Sequence, residues 1–232
     1  MNLQDIALHP TGATTTDRPQ PVSDQAYDGI VDLILSHGLR PGERTSVNIL
    51  AERLGLGRMP VKEAVNRLQS EGILSIKGRS GTTVASIDPP DIPKMFALRA
   101  VLEDHAAAEA AANVTDAELA HIDELVALLG ETSVSAQNRA AADPRFIRAN
   151  VALHGAVVAA SHNQFLYRAY ATLQLQFLIV AYLADHRQDL AAAAQRQREH
   201  EAIAAALRSR DSKKLRQALK AHREATESLP NG

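Results

Sequence analysis

Cysteine and tryptophan are both missing from this chain, and aromatic residues make up only 3% of its 232 positions. Without cysteine there can be no disulfide, no thiolate metal site and no thiol nucleophile, a composition that suits a reducing cytosol. No uncharged apolar run approaches the roughly 18–20 residues needed to cross a bilayer, so no membrane partner is expected. The N-terminus lacks a basic segment leading into an apolar run, so no secretory signal is expected either, and the expected localisation is cytoplasmic. An excess of one charge is also absent: 25 Lys and Arg face 27 Asp and Glu, for a formal net charge of −2. Any nucleic-acid contact must therefore rest on a local basic patch. Apolar residues, at 45%, are plentiful enough to build real cores in one or two domains.

The fold class these patterns predict is mainly α, with a small α+β N-terminal domain and a larger all-α C-terminal one. Residues 1–22 include the Thr- and Pro-rich run TGATTTDRPQP, lack periodicity and read as a disordered tail. From 23 to 87 the signals give helix, helix, short turn, helix and hairpin, the outline of a winged helix-turn-helix. Ser23 or Asp24 is a candidate cap for the first helix, which should stop at Gly38, and Ser46 for the second, ended by Gly55. Pro60 sits in the first turn of the third, where a missing N–H costs least. ILSIKGRSGTTVASI then reads as two strands joined by a Gly-containing turn. Residues 88–93, DPPDIP, resist helix and sheet and read as a linker. From 94 to 229 the pattern is helical, with about six helices: Lys94–Asn113, Asp116–Leu129, Arg145–Ala160, Gln164–His186, Asp189–Ser209 and Ser212–Ser228. Gly130 to Asp143 reads as a polar loop.

The third helix carries the first chemical signal. Val61, Ala64, Val65 and Leu68 form its buried face, while Arg58, Lys62, Asn66 and Gln69 share the opposite stripe. A helix fits the major groove, where Arg and Lys match the guanine acceptors and amides pair with adenine. Between Arg53 and Arg79 six cations face only Glu63 and Glu71. The hairpin tip KGRSG has the small residues and the cation expected of a loop pressed against phosphates. A solvated amphipathic helix would show a similar stripe, but would not explain the hairpin beside it.

The run LRPGERTSVNILAERLGLGRMPVKEAVNRLQSEGIL resembles, without a gap, the DNA-binding domain of the GntR family of bacterial transcription regulators. The resemblance implies that Arg58 and Lys62 contact double-stranded operator DNA, with the wing around Gly78 to Gly81 assisting. Asn66, Arg67, Arg79 and Gly81 complete the expected DNA-binding set. Three positions depart from the family pattern: Lys62 replaces the usual Arg, Asn48 replaces an Arg, and Gly57 replaces a capping Ser or Thr.

Nine histidines are present, and the spacing of a few is suggestive. Asn150 and His154, four apart, share a helical face. His200 and His222 lie at similar distances on either side of the Asp211-Ser212 turn, so an antiparallel helix pair brings them to one height. Such imidazoles either form a divalent transition-metal site or sit at the core edge as ordinary residues. The C-terminal region resembles the FCD domain, the helical effector domain of the FadR subgroup, through Leu98-Arg99 with Leu102-Glu103, Asn150 with His154, Glu199-His200 with Ile203, and His222. That resemblance implies that Asn150, His154, His200 and His222 hold a divalent transition metal, zinc among the candidates, and that acyl-CoA is not the ligand. Asn150 stands where many relatives have Asp, which leaves the metal's charge uncompensated and favours a small carboxylate effector. Arg99 either grips that effector or pairs with Glu103 on the helix surface. His105, His121, His162 and His186 match nothing in the pattern.

The expected function is a ligand-responsive transcription regulator, acting in the sense of a repressor and as a homodimer on a two-fold operator. Two alternatives stay open. A metal-dependent enzyme is disfavoured by the lack of an HExxH motif and by Glu199 and Glu201 flanking His200, off its helical face. An architectural DNA-binding protein with an inert bundle would show an apolar pocket where the histidines should meet.

Overall fold

The computed structural model describes residues 20–76, 81–135, 144–184 and 190–227, and it is mainly helical. Residues 1–19 of the expected tail, and the Lys77–Ser80 wing tip with Arg79, lie outside the described residues.

Helix α1 (Val22–Leu35) buries Ala26, Tyr27, Ile30, Val31, Ile34 and Leu35 along one face. It starts before Ser23 and Asp24, the expected caps: Pro21 is its N-cap and its carbonyl accepts the amides of Asp24 (2.9 Å) and Gln25 (3.1 Å). Its end also differs from expectation, because His37 rather than Gly38 takes the left-handed backbone (φ 61°), and Leu39 bonds back to the Leu33 carbonyl. Strand β1 (Arg44–Thr45) follows, two residues too short to show any periodicity in sequence. Ser46 caps α2 (Val47–Leu54) through the Ile49 amide at 3.2 Å, and Gly55 at φ 64° ends it. Helix α3 (Arg58–Ser70) begins at Gly57 with no side-chain cap and is closed by Gly72 at φ 75°. Strands β2 (Leu74–Ile76) and β3 (Thr82–Val84) form the hairpin, Leu74 opposite Val84. Strand β1 pairs with the other edge of β3, so the sheet is antiparallel in the order β1-β3-β2.

A short 3-10 turn (Pro89–Asp91) leads straight into α4 (Ile92–Asn113), so the expected linker is already helical by Ile92. Helix α5 (Asp116–Ser135) opens on a reciprocal cap: the Glu118 carboxylate accepts the Thr115 amide, and the Thr115 hydroxyl accepts the Glu118 amide. It runs on through Gly130 instead of breaking there, since one helical Gly costs only about 1 kcal/mol. Then come α6 (Pro144–Ala159), α7 (Gln164–Ala184), α8 (Leu190–Arg208) and α9 (Ser212–Glu227). Asp211 caps α9 through the amides of Lys213 and Lys214, which makes α8 and α9 a tight helical hairpin. No described helix is long and apolar enough to cross a membrane.

Two apolar cores are tied together by α6. Ile147 and Val151 pack into the core of α1, α2, α3 and the sheet, while Ala149, Ala152, Leu153 and Val157 face the bundle core. Between them the fully buried Arg148 reaches α1, donating to Asp32 Oδ1 (2.9 Å), to Asp28 Oδ1 (3.4 Å) and to the Asp28 carbonyl (3.0 Å). Gln174 of α7 donates to the Val151 carbonyl at 2.6 Å. It can lie there because residue 155 is Gly: a Cβ would stand 2.4 Å from the Gln174 amide nitrogen.

Candidate metal centre and nucleic-acid face

In the bundle, α6, α8 and α9 each turn one imidazole inward. His154, His200 and His222 are 2%, 0% and 4% exposed, and one nitrogen from each lies within 4.8 Å of the others. Ring centroids stand 4.6 Å apart for His200 and His222, 5.0 Å for His154 and His222, and 6.3 Å for His154 and His200. The height argument from the Asp211 turn thus holds for the α8–α9 pair, and α6 brings the third ring. Asn150 lies one turn before His154 on α6 and is half-buried.

Burial sets the protonation of these rings. Desolvation, with Arg99 adding to it, pushes His154 down to about 3, and burial beside His222 and His154 holds His200 well below the usual histidine range. Both are therefore neutral imidazoles, the form that lends a lone pair to a metal. Neither ring nitrogen of His200 has a hydrogen-bond partner, and the same is true of His154. Four buried polar atoms without partners are costly in an apolar bundle unless something coordinates them. This donor set fits a borderline transition metal, which favours imidazole nitrogen.

Around the rings lies a shell of charge. Glu103 of α4, 1% exposed, accepts from Arg99 Nε (2.7 Å), from the Tyr170 hydroxyl (2.9 Å) and from Arg223 Nη1 (2.9 Å). Burial alone would raise its pKa, yet the Arg99 guanidinium beside it holds it well below the carboxylate range. His154 Nδ1 stands 3.1 Å from Glu103 Oε1, close enough to feel the charge but not aligned as a hydrogen bond. Arg99 makes the expected pair with Glu103, but inside the protein instead of on the surface: it is 6% exposed and stacks over Phe177 at 4.5 Å. The second carboxylate went unrecognised from sequence. Glu199, expected to face away from the cluster, is buried and accepts from His222 Nδ1 at 3.0 Å, because α9 brings His222 around to it.

The other site is the outer face of α3. Arg58, Lys62, Asn66 and Gln69 are all exposed, as are Met59 and Glu63. Among the described residues, Arg58, Lys62 and Asn66 make no hydrogen bond or ion pair that would hold them back from a ligand. Arg67 of the expected set is exposed and also makes contacts within the protein: it lies over the Tyr27 ring at 4.1 Å and pairs with Asp24 (3.2 Å) and Glu71 (3.3 Å), tying α3 to α1. Gly81 has a backbone reason for being Gly, since φ is 86° and a Cβ would stand 3.2 Å from the Thr45 carbonyl oxygen. Arg79 falls outside the described residues.

A winged helix-turn-helix joined to an all-helical bundle defines a class, the two-part bacterial transcription regulators. Residues 22–84 match the family described as bacterial regulatory proteins, gntR family, and residues 94–225 match the FCD domain. The chain belongs to the GntR family of bacterial regulatory proteins and carries an FCD domain. It is 28% identical over 150 residues to the uncharacterized HTH-type transcriptional regulator YdhC of Bacillus subtilis, covering 65% of each chain. It is 35% identical over 130 residues to an uncharacterized HTH-type transcriptional regulator of Agrobacterium vitis, covering 52% of this chain and 74% of the relative. The match spans less than half, 46%, of the length of two mycobacterial regulators. The solved structure of E. coli McbR/YncC superposes with a TM-score of 0.74 at 23% identity, covering 91% of this chain and 97% of that one, and shows the shared fold. These relatives are regulators, and the matches place the chain among regulators rather than among enzymes.

Proposed function

We propose that this protein is a ligand-responsive transcription regulator that senses a small carboxylate at a divalent metal and reads operator DNA as a cytoplasmic homodimer, in the sense of a repressor. The observation that carries the sensing half is the trio of buried imidazoles that converge in the bundle attached to the winged domain, two of them, His154 and His200, with ring nitrogens that accept and donate no hydrogen bond. His154, His200 and His222 would hold the metal, with Asn150 a fourth ligand one turn from His154. The metal would supply Lewis acidity toward an anionic ligand. An inert bundle would place apolar side chains there; this one buries three imidazoles, Arg99, Arg223 and Glu103. Because Glu103 already engages Arg99, the effector carboxylate would meet the metal before it meets Arg99.

Arg58, Lys62, Asn66 and Gln69 form the DNA-reading stripe, with the exposed Arg67 beside it as a further cation. The homodimer is supported by α4, whose outward face presents Ala97, Leu98, Val101, Ala108 and Ala112, with Leu98 and Val101 49% and 65% exposed. The route from effector to DNA runs along α6, which carries Arg148, locked to α1, less than two turns before His154. A ligand that prefers one placement of α6 would thereby bias the placement of the DNA-reading domain. Elemental analysis tests the core of this reading. Wild type purified without chelator should carry about one divalent metal per chain, and a His200→Ala, His222→Ala double variant should carry little. Equal metal content in the two proteins removes the site.

A further inference from the structure

The cluster poses a charge problem. Three neutral imidazoles and the Asn150 amide offer no negative charge to a divalent ion, and an ion buried without counter-charge is expensive. Two carboxylates touch the cluster from outside, and they are not equivalent. Glu103 is surrounded by cations: Arg99 and Arg223 both donate to it, so its charge is neutralised before it reaches His154. Glu199 has no arginine donating to it in the same way: it is held by the Gln195 amide on Oε1 (2.8 Å) and the His222 imidazole on Oε2 (3.0 Å), with Arg196 a nearby cation. Gln195 sits one turn earlier on α8, so both oxygens are anchored and the carboxylate cannot swing away.

From this geometry we infer that Glu199 is the positioning residue of the metal centre: it fixes His222 with Nδ1 protonated and Nε2 presented to the ion, and supplies through that imidazole the negative charge that Asn150 does not. A carboxylate on the far nitrogen of a ligating histidine fixes its tautomer and raises its basicity, and losing such a partner typically weakens metal affinity by about 10–100-fold. The inference rests on the proposed metal site, and it reassigns the charge balance of that site from the ligand shell to the carboxylate behind it.

Chelator-competition titration with Zn²⁺ tests it on the full chain. Glu199→Gln keeps the side-chain shape and removes the charge, and should weaken Zn²⁺ binding by about 10–100-fold. Adding Asn150→Asp to that variant should restore affinity to within a few-fold of wild type, because the charge returns by a different route. Unchanged affinity in Glu199→Gln, or a loss that Asn150→Asp fails to repair, overturns the inference. If wild type binds Zn²⁺ no better than the His200→Ala, His222→Ala variant, the metal site itself is wrong, a failure recognisably different from the other two. The tautomer gives a second readout that does not depend on metal. ¹⁵N-histidine NMR of metal-free protein should show His222 protonated at Nδ1 in wild type and released from that preference in Glu199→Ala. A wild-type His222 protonated at Nε2 instead refutes the assignment.

Discussion

Removing the Arg148 guanidinium tests whether α6 is a true joint between the two halves of the molecule. The side chain is fully buried, and its Nε and Nη2 reach Asp32 Oδ1 at 2.9 and 2.8 Å, while the remaining bonds go to Asp28. Breaking a buried ion pair by deleting one partner costs about 3–5 kcal/mol when the survivor stays dry. Here the survivors of Arg148→Met are not dry, since the Asp28 and Asp32 side chains keep 19% and 29% of their exposure. Part of their hydration is recovered, so the cost should fall to about 2–3 kcal/mol, toward the value of lost charged hydrogen bonds. Removing both carboxylates, Asp28→Asn with Asp32→Asn, leaves the guanidinium buried and facing neutral partners, and should cost about 3–5 kcal/mol. Asp32→Asn alone should be mild, under about 1 kcal/mol. Burial raises the Asp32 pKa in spite of Arg148, so the folded state favours its neutral form. The sign follows from linkage: a raised folded pKa gives stability that is full below the unfolded value of 3.8 and is lost as pH rises through the folded value, and a neutral Asn escapes that loss. Urea unfolding at pH 7, comparing midpoints at constant slope, reads the order directly. If Arg148→Met lies within experimental error of wild type, or if the double Asn variant is the less damaged, the buried joint is not holding the domains together.

Two further outcomes follow from the two sites. Arg58→Ala with Lys62→Ala should abolish specific operator binding in an anisotropy titration at fixed salt while the fold is kept, each lost contact costing about 1–3 kcal/mol; wild-type affinity would rule out α3 as the reader. Asn150→Asp should hold metal more tightly yet bind small hydroxy acids, dicarboxylates and sugar acids more weakly by calorimetry, because a ligand with its own charge leaves less for the effector to compensate. An acid that binds both proteins equally well is not coordinated by the metal.

Much of the fold was legible because helix caps and glycine turns are local. Ser46, Gly55, Gly72, Thr115 and Asp211 each do what their spacing implied. The α8–α9 histidines could be paired by counting from one turn, but His154 comes from a helix distant in sequence and was joined to them only through family resemblance. What was not legible shares one cause, a partner contributed by another element. The contacts of Arg67, a member of the expected DNA-binding set, were not visible because Asp24 and Tyr27 on α1 carry no mark that they will face it. Glu199 looked misplaced because the helical arithmetic of α8 says nothing of where α9 puts His222. Arg148 gave no signal at all: a buried arginine in an apolar helix is recognisable only once Asp28 and Asp32, more than a hundred residues earlier, are beside it.

The double membership of α6 bears on how such a chain can be recombined. Regulators with two domains invite exchange, one sensor grafted behind another reader at the connecting segment near residues 88–93. In this protein that cut would separate the reader from Ile147 and Val151, which complete its apolar core, and from the cation that neutralises Asp28 and Asp32. The unit that can be exchanged is therefore defined by matching surfaces on α1 and α6 and not by the linker. A foreign sensor would be accepted only if its own third helix brought two aliphatic side chains and an arginine in the same register. The boundary between the parts, obvious along the chain, is interleaved in space.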